Sequence, residues 1–191
     1  MRRREFIAGL IGAATIWLRS AQAQQPDIPV IGFLNEGSAQ GYASLSAAFE
    51  KGLGERGYVN GRNVTVEYRW ADNHSDQLTP LAADLVKRQV KVIAATSTPA
   101  VLAAKAATTA IPIVFEAGAD PVKLGWVASL NRPGGNLTGV TQTSIELTAK
   151  RVELLHELLP AGKVVALLVK PDSPLVESLT SEMRQAAAHL D

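Results

Sequence analysis

The sequence predicts an α/β fold in which helices cover both faces of a parallel sheet. Short apolar runs, typical of strands buried on both faces, recur along the chain. They alternate with stretches whose apolar residues lie three and four positions apart, typical of amphipathic helices. Each helix returns the chain to the end of the sheet where the previous strand began, so the strands of such an alternation are parallel and the crossovers are right-handed. For five strands we expect the order 2-1-3-4-5, a common arrangement in doubly wound sheets.

Five strands are predicted between residues 28 and 140. The first and third are short apolar runs, whereas the second alternates apolar and polar residues and is rich in strand-forming types. The predicted strands are 28–34, 64–70, 92–95, 111–115 and 137–140.

Four helices are predicted between these strands. In the first, Leu45, Phe49 and Leu53 lie four apart on one face. In the third, Pro99 occupies the first helical position, which proline favours. The predicted helices are 42–56, 76–88, 99–107 and 121–130.

A second block follows residue 140. A small polar stretch, 141–145, resembles a hinge, and a helix is predicted over 146–159. The apolar run 164–169 is predicted as a buried strand, and Ser173 with Pro174 begins a last helix. One strand and two helices cannot close a domain alone. We therefore expect a complete lobe over 24–140 and the incomplete start of a second α/β lobe over 146–191; the alternative is that these elements dock on the first lobe.

Residues 1–23 have the layout of a cleaved signal peptide. A basic segment, 2–4, precedes an apolar run, 7–18, and a small-x-small cleavage pattern that ends at Ala23. Residues 3–7 also fit the twin-arginine pattern. The apolar run is shorter than the ~20 residues that span a bilayer. We expect export to the periplasm and a mature chain that does not span the membrane; the alternative is a buried N-terminal helix.

Composition excludes several function classes. The chain has 19 basic and 18 acidic residues; setting aside four arginines and one glutamate in residues 1–23 leaves 15 basic and 17 acidic. With no basic run in that part, we expect no nucleic-acid partner. The chain has no cysteine, which excludes thiol catalysis and cysteine-ligated metals.

Polar loops follow three predicted strands, and ligands of open parallel sheets bind at the carboxyl ends of the strands. The first loop offers Asn35, Gly37 and Ser38. The second offers the hydroxyls of residues 96–98 at a helix N-terminus, which favours an anion. Capping of the following helices is the alternative role in both loops. The hydroxyl residues are Thr96, Ser97 and Thr98.

The third loop follows the fourth strand and carries Glu116, Gly118 and Asp120. Its carboxylates could bind an ammonium group, although Asp120 before Pro121 is also a strong capping signal. The three loops together suit a zwitterion such as an amino acid. Aromatic side chains could add a wall to this site; the candidates are Phe33, Tyr42, Trp70 and Trp126.

Catalysis finds little support in the sequence. The chain has no Gly-x-Ser-x-Gly motif, no phosphate-binding loop and no GxGxxG motif after a strand. No histidine lies at a position from which it could act with the carboxylates of Glu116 and Asp120 in acid–base catalysis. We expect no enzymatic activity, no cofactor and no metal.

Several stretches resemble the ABC-transporter substrate-binding protein family related to tryptophan/tyrosine-binding proteins. They include IGFLNEGS, GYVNGRNVTVEYRWA, AAKAATTAIPIVF, DPVKLGWVASLNRPGGNLTGV and KRVELLHELLP. The resemblance implies a type I periplasmic binding protein whose two lobes close on a small ligand, such as an aromatic amino acid, for delivery to an ABC permease in the inner membrane. It also implies a cleft formed by residues 35–38, 96–98 and 116–120, with a hinge near Thr141. Family members are much longer, so we expect most of the second lobe to be absent.

Two other functions stay open. The chain could be a ligand-sensing module that contacts another membrane protein, or a small exported α/β hydrolase. A hydrolase would need a nucleophile paired with a base in the cleft, and the sequence offers none there.

Overall fold

The computed structural model describes residues 28–142, 147–159, 162 and 164–189. The expected signal peptide and residues 143–145 of the expected hinge lie outside the described residues. The strands are β1 (Val30–Asn35), β2 (Thr65–Trp70), β3 (Val92–Thr96), β4 (Ile113–Ala117) and β5 (Leu137–Thr141). The helices are α1 (Ala43–Glu55), α2 (Leu78–Lys87), preceded by a 3₁₀ turn (Ser75–Gln77), α3 (Thr98–Ala107), α4 (Thr148–Leu158) and α5 (Val176–Ala188).

The five strands form one parallel sheet in the order β2-β1-β3-β4-β5, which confirms the predicted fold and strand order. Each pair of neighbouring strands is parallel. The register brings the last residues of the strands together, with Asn35 beside Thr96, Thr96 beside Glu116, and Ala117 beside Thr141. The predicted loops therefore leave the sheet at one common end, which we call the carboxyl end.

The core lies on both faces of the sheet because successive side chains of a strand point to opposite faces. Leu34 packs with α2 and α3 residues in the larger cluster, which includes Leu85 and Val101. Phe33 packs on the other face, against α1 residues such as Phe49. Burial on both faces explains why β1 is a continuous apolar run.

The predicted helix over 121–130 is wrong. Asp120 Oδ1 accepts hydrogen bonds from the backbone N–H groups of Val122 (2.8 Å) and Lys123 (3.1 Å), which starts a helical turn. Gly125 then adopts a left-handed conformation (φ 63°), and the segment continues as turns and bends. A left-handed residue ends a helix because its backbone directs the chain away from the helical path.

The predicted strand over 164–169 is also wrong. These residues form no strand, and the run is largely exposed, with 98% exposure at Leu168 and 89% at Val164. A strand needs a neighbour for its backbone hydrogen bonds, and none of the described strands lies beside this run. Apolar composition alone therefore did not decide its structure.

Helices α4 and α5 pack against each other. Helix α5 begins at Val176, two residues later than predicted, and Ser173 Oγ accepts a hydrogen bond from the backbone N–H of Leu175 (3.3 Å). Leu175 also packs against the larger core cluster of the first lobe. None of the helices in the described part of the chain has the length and apolar character needed to cross a membrane.

Replacement of Gly139 tests the packing of β5 on β4. A Cβ at Gly139 would lie 2.1 Å from the backbone oxygen of Phe115, which cannot move without disturbing the sheet. We expect Gly139→Ala to lower the free energy of unfolding by about 1–3 kcal/mol in urea titrations. The control is Gly52→Ala in α1, where a Cβ meets nothing within 4 Å. This substitution should raise stability by about 0.5–1 kcal/mol, since alanine favours helix. Equal stabilities of the two variants would contradict the described β4–β5 packing.

Candidate functional site

Asn35 holds the first two loops of the carboxyl end together. Its side chain is fully buried, and its Nδ2 donates to the backbone oxygen (2.6 Å) and to Oγ1 (2.8 Å) of Thr96. Its Oδ1 accepts from the backbone N–H of Gly37 (2.6 Å). Both Asn35 and Thr96 were predicted to contact ligand. In this arrangement their polar side-chain atoms bond to each other and to the backbone, so they position the loops.

Gly37 and Ser38 shape the first loop. The ring of Tyr42 covers Gly37 so closely that a Cβ there would lie 2.2 Å from the ring. Ser38 Oγ accepts a hydrogen bond from the backbone N–H of Gly41 (3.1 Å), in the turn that leads into α1. Ser38 therefore stabilises the turn before α1, but it does not cap the helix as considered, because α1 begins at Ala43 and its N-cap residue Tyr42 makes no side-chain capping bond.

Ser97 is the N-cap residue of α3. Its Oγ accepts from the backbone N–H of Ala100 (3.3 Å), and its own N–H donates to the backbone oxygen of Glu116 (3.0 Å). Its backbone angles, φ 133° and ψ 150°, are strained for any residue except glycine. Such strain persists only where surrounding contacts hold it, and it concentrates at functional sites. Thr98, the next predicted contact, is buried in the first turn of α3.

The third loop and the end of β5 form one hydrogen-bonded unit. Glu116 Oε1 accepts from Gln142 Nε2 (2.7 Å). The single hydroxyl proton of Thr141 has two backbone oxygens within reach of Oγ1, those of Ala119 (2.7 Å) and Ala117 (3.1 Å). Asp120 caps the turn that follows. These bonds fix the loop at the strand ends and leave Thr141 Oγ1 able to accept a further hydrogen bond.

A cavity of about 510 Å³ lies at the carboxyl ends of β4 and β5, between their loops and α5. Of the ten predicted site residues, Gly118, Asp120 and Thr141 line it. The other seven lie at or near the same end of the sheet without lining this cavity. The full lining is Gly118, Ala119, Asp120, Pro121, Lys123, Leu124, Leu130, Thr141, Gln142, Leu175, Glu177, Ser178, Ser181 and Glu182.

The cavity combines opposite charges with an apolar surface. Carboxylates come from Asp120, Glu177 and Glu182, and an ammonium group comes from Lys123. Hydroxyl and amide groups lie between them, and leucines 124, 130 and 175 supply the apolar part. A site of this size with a few polar groups suits a small molecule that has both charged ends and an apolar body.

The contribution of α5 was missed by sequence reasoning. The sequence predicted a last helix after Pro174, but none of its polar residues was predicted to belong to a site. Those that line the cavity are Glu177, Ser178, Ser181 and Glu182. The sequence does carry their helical spacing, yet it does not show that α5 lies against the loops after β4 and β5.

Three of the four candidate aromatic residues, Phe33, Tyr42 and Trp70, lie in one cluster, and Trp126 lies apart from them. Phe33 and Trp126 are buried in the core, on opposite faces of the sheet. Trp70 stacks on Tyr68 (ring centroids 5.9 Å, interplanar angle 2°), and Tyr42 lies 6.3 Å from Trp70. Burial, together with the hydrogen bond to Glu50, raises the pKa of Tyr68 above its ordinary value. None of these aromatic side chains lines the cavity.

Within the described ranges, no group of three or more His, Asp or Glu side chains could hold a metal ion.

The chain matches the family described as ABC transporter substrate binding protein over residues 27–190, and it belongs to that family. This confirms the family resemblance found in the sequence. The chain is 36% identical over 121 residues to the tyrosine-binding protein of Clostridioides difficile (strain R20291). The match covers 63% of this chain and 34% of that protein. The chain thus spans about a third of this curated relative.

Two solved structures share the fold. The crystal structure of a conserved domain protein from Vibrio cholerae has a TM-score of 0.77 and 27% identity, over 85% of this chain and 54% of that one. The ABC domain from Streptococcus pneumonia in complex with L-Trp has a TM-score of 0.74 and 23% identity, over 84% of this chain and 54% of that one. The name of the curated relative describes it as a tyrosine-binding protein.

Replacement of Asn35 tests its role as the brace of the carboxyl end. Asn35→Ala removes the partner of the Gly37 N–H and of the Thr96 oxygens. We expect the free energy of unfolding to fall by about 1–3 kcal/mol, because buried polar groups are left unpaired. The control is Asn131→Ala at an exposed turn position, which should change stability by less than about 0.5 kcal/mol. The brace is refuted if both variants unfold at the same urea concentration.

Proposed function

We propose that this chain is the extracytoplasmic solute-binding component of an ABC uptake system and that it binds a small amino-acid-like ligand. The observation that carries the proposal is the cavity at the carboxyl ends of β4 and β5, with carboxylates, a lysine and leucines around it. Membership of the substrate-binding family supports it. So do the tyrosine-binding relative and the structural neighbour solved with L-Trp.

An amino acid matches the cavity group by group. Its ammonium would bind to the carboxylates of Asp120, Glu177 and Glu182, and Thr141 Oγ1 could accept one of its hydrogens. Its carboxylate would face Lys123. An aromatic side chain would pack against the leucines, where burial of apolar surface contributes most of the affinity. The strained N-cap residue Ser97 is another polar residue at the carboxyl end of the sheet, outside the cavity lining.

Location and partners follow from this role. We propose export by the segment 1–23, with cleavage after Ala23 and release into the periplasm. The loaded protein would then deliver its ligand to an ABC permease in the inner membrane. Neither nucleic acid nor a cofactor takes part in this function.

The remaining part of the proposal concerns a second lobe. The solved relatives are longer than this chain, which spans 54% of the length of each. The exposed apolar run 164–168 and the exposed leucines of α4 are surfaces that a fuller second lobe would cover. We propose that tight capture requires that lobe, and that the chain as it stands holds its ligand in a half-open site.

Filling the cavity tests the location of the site. Ser178 lines the cavity on α5, so Ser178→Trp should place a large ring in the ligand's position. We expect calorimetry of residues 24–191 with L-tryptophan to give a dissociation constant of about 0.1–1 mM, and the variant to bind at least about tenfold more weakly. The control is Ala187→Trp, an exposed position on the same helix outside the cavity. Equal binding by the two variants would exclude this cavity as the site.

Adding a second lobe tests the two-lobe requirement. A chimera would keep residues 24–142 and take the corresponding remaining part of the tyrosine-binding relative from Clostridioides difficile. We expect it to bind L-tyrosine at least about tenfold more tightly than residues 24–191, because the ligand would be buried from both sides. The control is the complete tyrosine-binding relative, titrated with L-tyrosine under the same conditions. Tight binding by residues 24–191 alone would contradict the requirement.

A further inference from the structure

A cluster of four polar side chains joins the first lobe to the segment before α5. Lys170 Nζ forms an ion pair with Glu36 Oε1 and donates to Ser75 Oγ (3.2 Å). Ser75 Oγ in turn donates to Glu36 Oε1 (2.6 Å). Asp172 Oδ2 lies 3.6 Å from Lys170 Nζ. Lys170 is separated from Glu36 by 134 positions, so this cluster is a long-range tertiary contact.

The first lobe presents Glu36 in a fixed position. Its backbone oxygen accepts from the N–H of Asn73 (2.7 Å), and the oxygen of Gly37 accepts from the N–H of Asp72 (3.0 Å). Asp72 and Asn73 both adopt left-handed conformations (φ 49° and 66°), which these two residue types tolerate best among those with side chains. The tight turn that results brings Ser75 back to Glu36.

One partner of the pair is more shielded than in an ordinary surface ion pair. The Glu36 side chain is 19% exposed and that of Lys170 is 45% exposed, against 59% and 53% in the pair Lys150–Glu153 within α4. The hydrogen bond to Glu36 also raises the pKa of Lys170 above its ordinary value, as a stabilised ammonium requires.

The position of Lys170 along the chain connects this pair to the cavity. Leu175 lies five residues further on, packs against the first-lobe core and lines the cavity. Helix α5 begins at the next residue and contributes Glu177, Ser178 and Ser181 to the cavity wall. The ion pair therefore lies at the start of the segment that carries this wall.

We propose that Lys170 is a positioning residue: its ion pair with Glu36, braced by Ser75, is a latch that holds α5 against the loops after β4 and β5. The latch contacts no ligand itself. It fixes the wall of the cavity, so loss of the Lys170 charge allows α5 to move away and the site to widen. The effect on ligand affinity rests on the proposed function, whereas the effect on α5 does not.

The first test measures amide hydrogen exchange of residues 175–179 in residues 24–191 without ligand. Lys170→Met removes the charge and keeps most of the side-chain length. We expect exchange at these amides to become about two- to fivefold faster, and Lys170→Arg to restore the slow rate because it retains the charge. The matched control is Lys150→Met, which should leave these amides unchanged. Unchanged exchange in Lys170→Met, or the same increase in Lys150→Met, would overturn the latch.

The second test measures L-tryptophan affinity of the same variants by calorimetry. Lys170→Met should weaken binding about two- to fivefold, with Lys170→Arg close to the unsubstituted chain. Tighter binding by Lys170→Met would overturn the latch, because it would mean that the Lys170 ammonium competes with the ligand for Glu36. If no variant binds, the proposed ligand is wrong, and the exchange rates alone decide whether the latch exists.

Discussion

The carboxyl end of the sheet depends on one buried asparagine. Asn35 is the last residue of β1, which lies between β2 and β3, and it is buried. Beyond the strand ends, backbone groups no longer pair with a neighbouring strand. The Asn35 side chain bonds to Thr96 at the end of β3 and to the Gly37 N–H in its own loop. Buried polar groups without partners are costly, so this set of bonds favours a single arrangement of both loops.

That constraint changes how the polar residues at the strand ends should be interpreted. Asn35, Thr96 and Ser38 have the side chains expected for ligand contact, yet their hydrogen bonds are to the protein itself. The cavity lies further along the sheet, beyond β3, where β4 and β5 end and α5 closes the far side. In the proposed function, the central loops are a rigid frame and the side chains around the cavity contact the ligand. Rigid support of this kind is what keeps a binding site in its productive geometry.

The sequence was sufficient to predict the sheet and the end of the sheet at which the cavity lies. Apolar runs locate strands buried on both faces, and their alternation with helices determines a parallel order, so β1 to β5 could be predicted from local patterns. The turns over 121–130 could not be predicted, because one left-handed glycine outweighs a composition that favours helix. The structure of the run 164–169 could not be predicted either, because a strand depends on a neighbouring strand that composition does not specify.

Residues of the cavity were predictable only where they belong to the sheet and its loops. Gly118, Asp120 and Thr141 belong to loops whose position follows from the strand order, and they do line the cavity. Glu177, Ser178 and Ser181 come from a helix whose placement depends on the packing of Leu175 and on the contact between Lys170 and Glu36. Those contacts span most of the chain, and no local pattern encodes them.

The most direct measurement is a map of backbone amide chemical-shift changes as residues 24–191 are titrated with L-tryptophan. The account predicts saturable changes centred on Gly118, Thr141, Gln142 and Ser178, with small changes on α1. Changes centred instead on Tyr42, Tyr68 and Trp70, or no saturable change around the cavity, would contradict it.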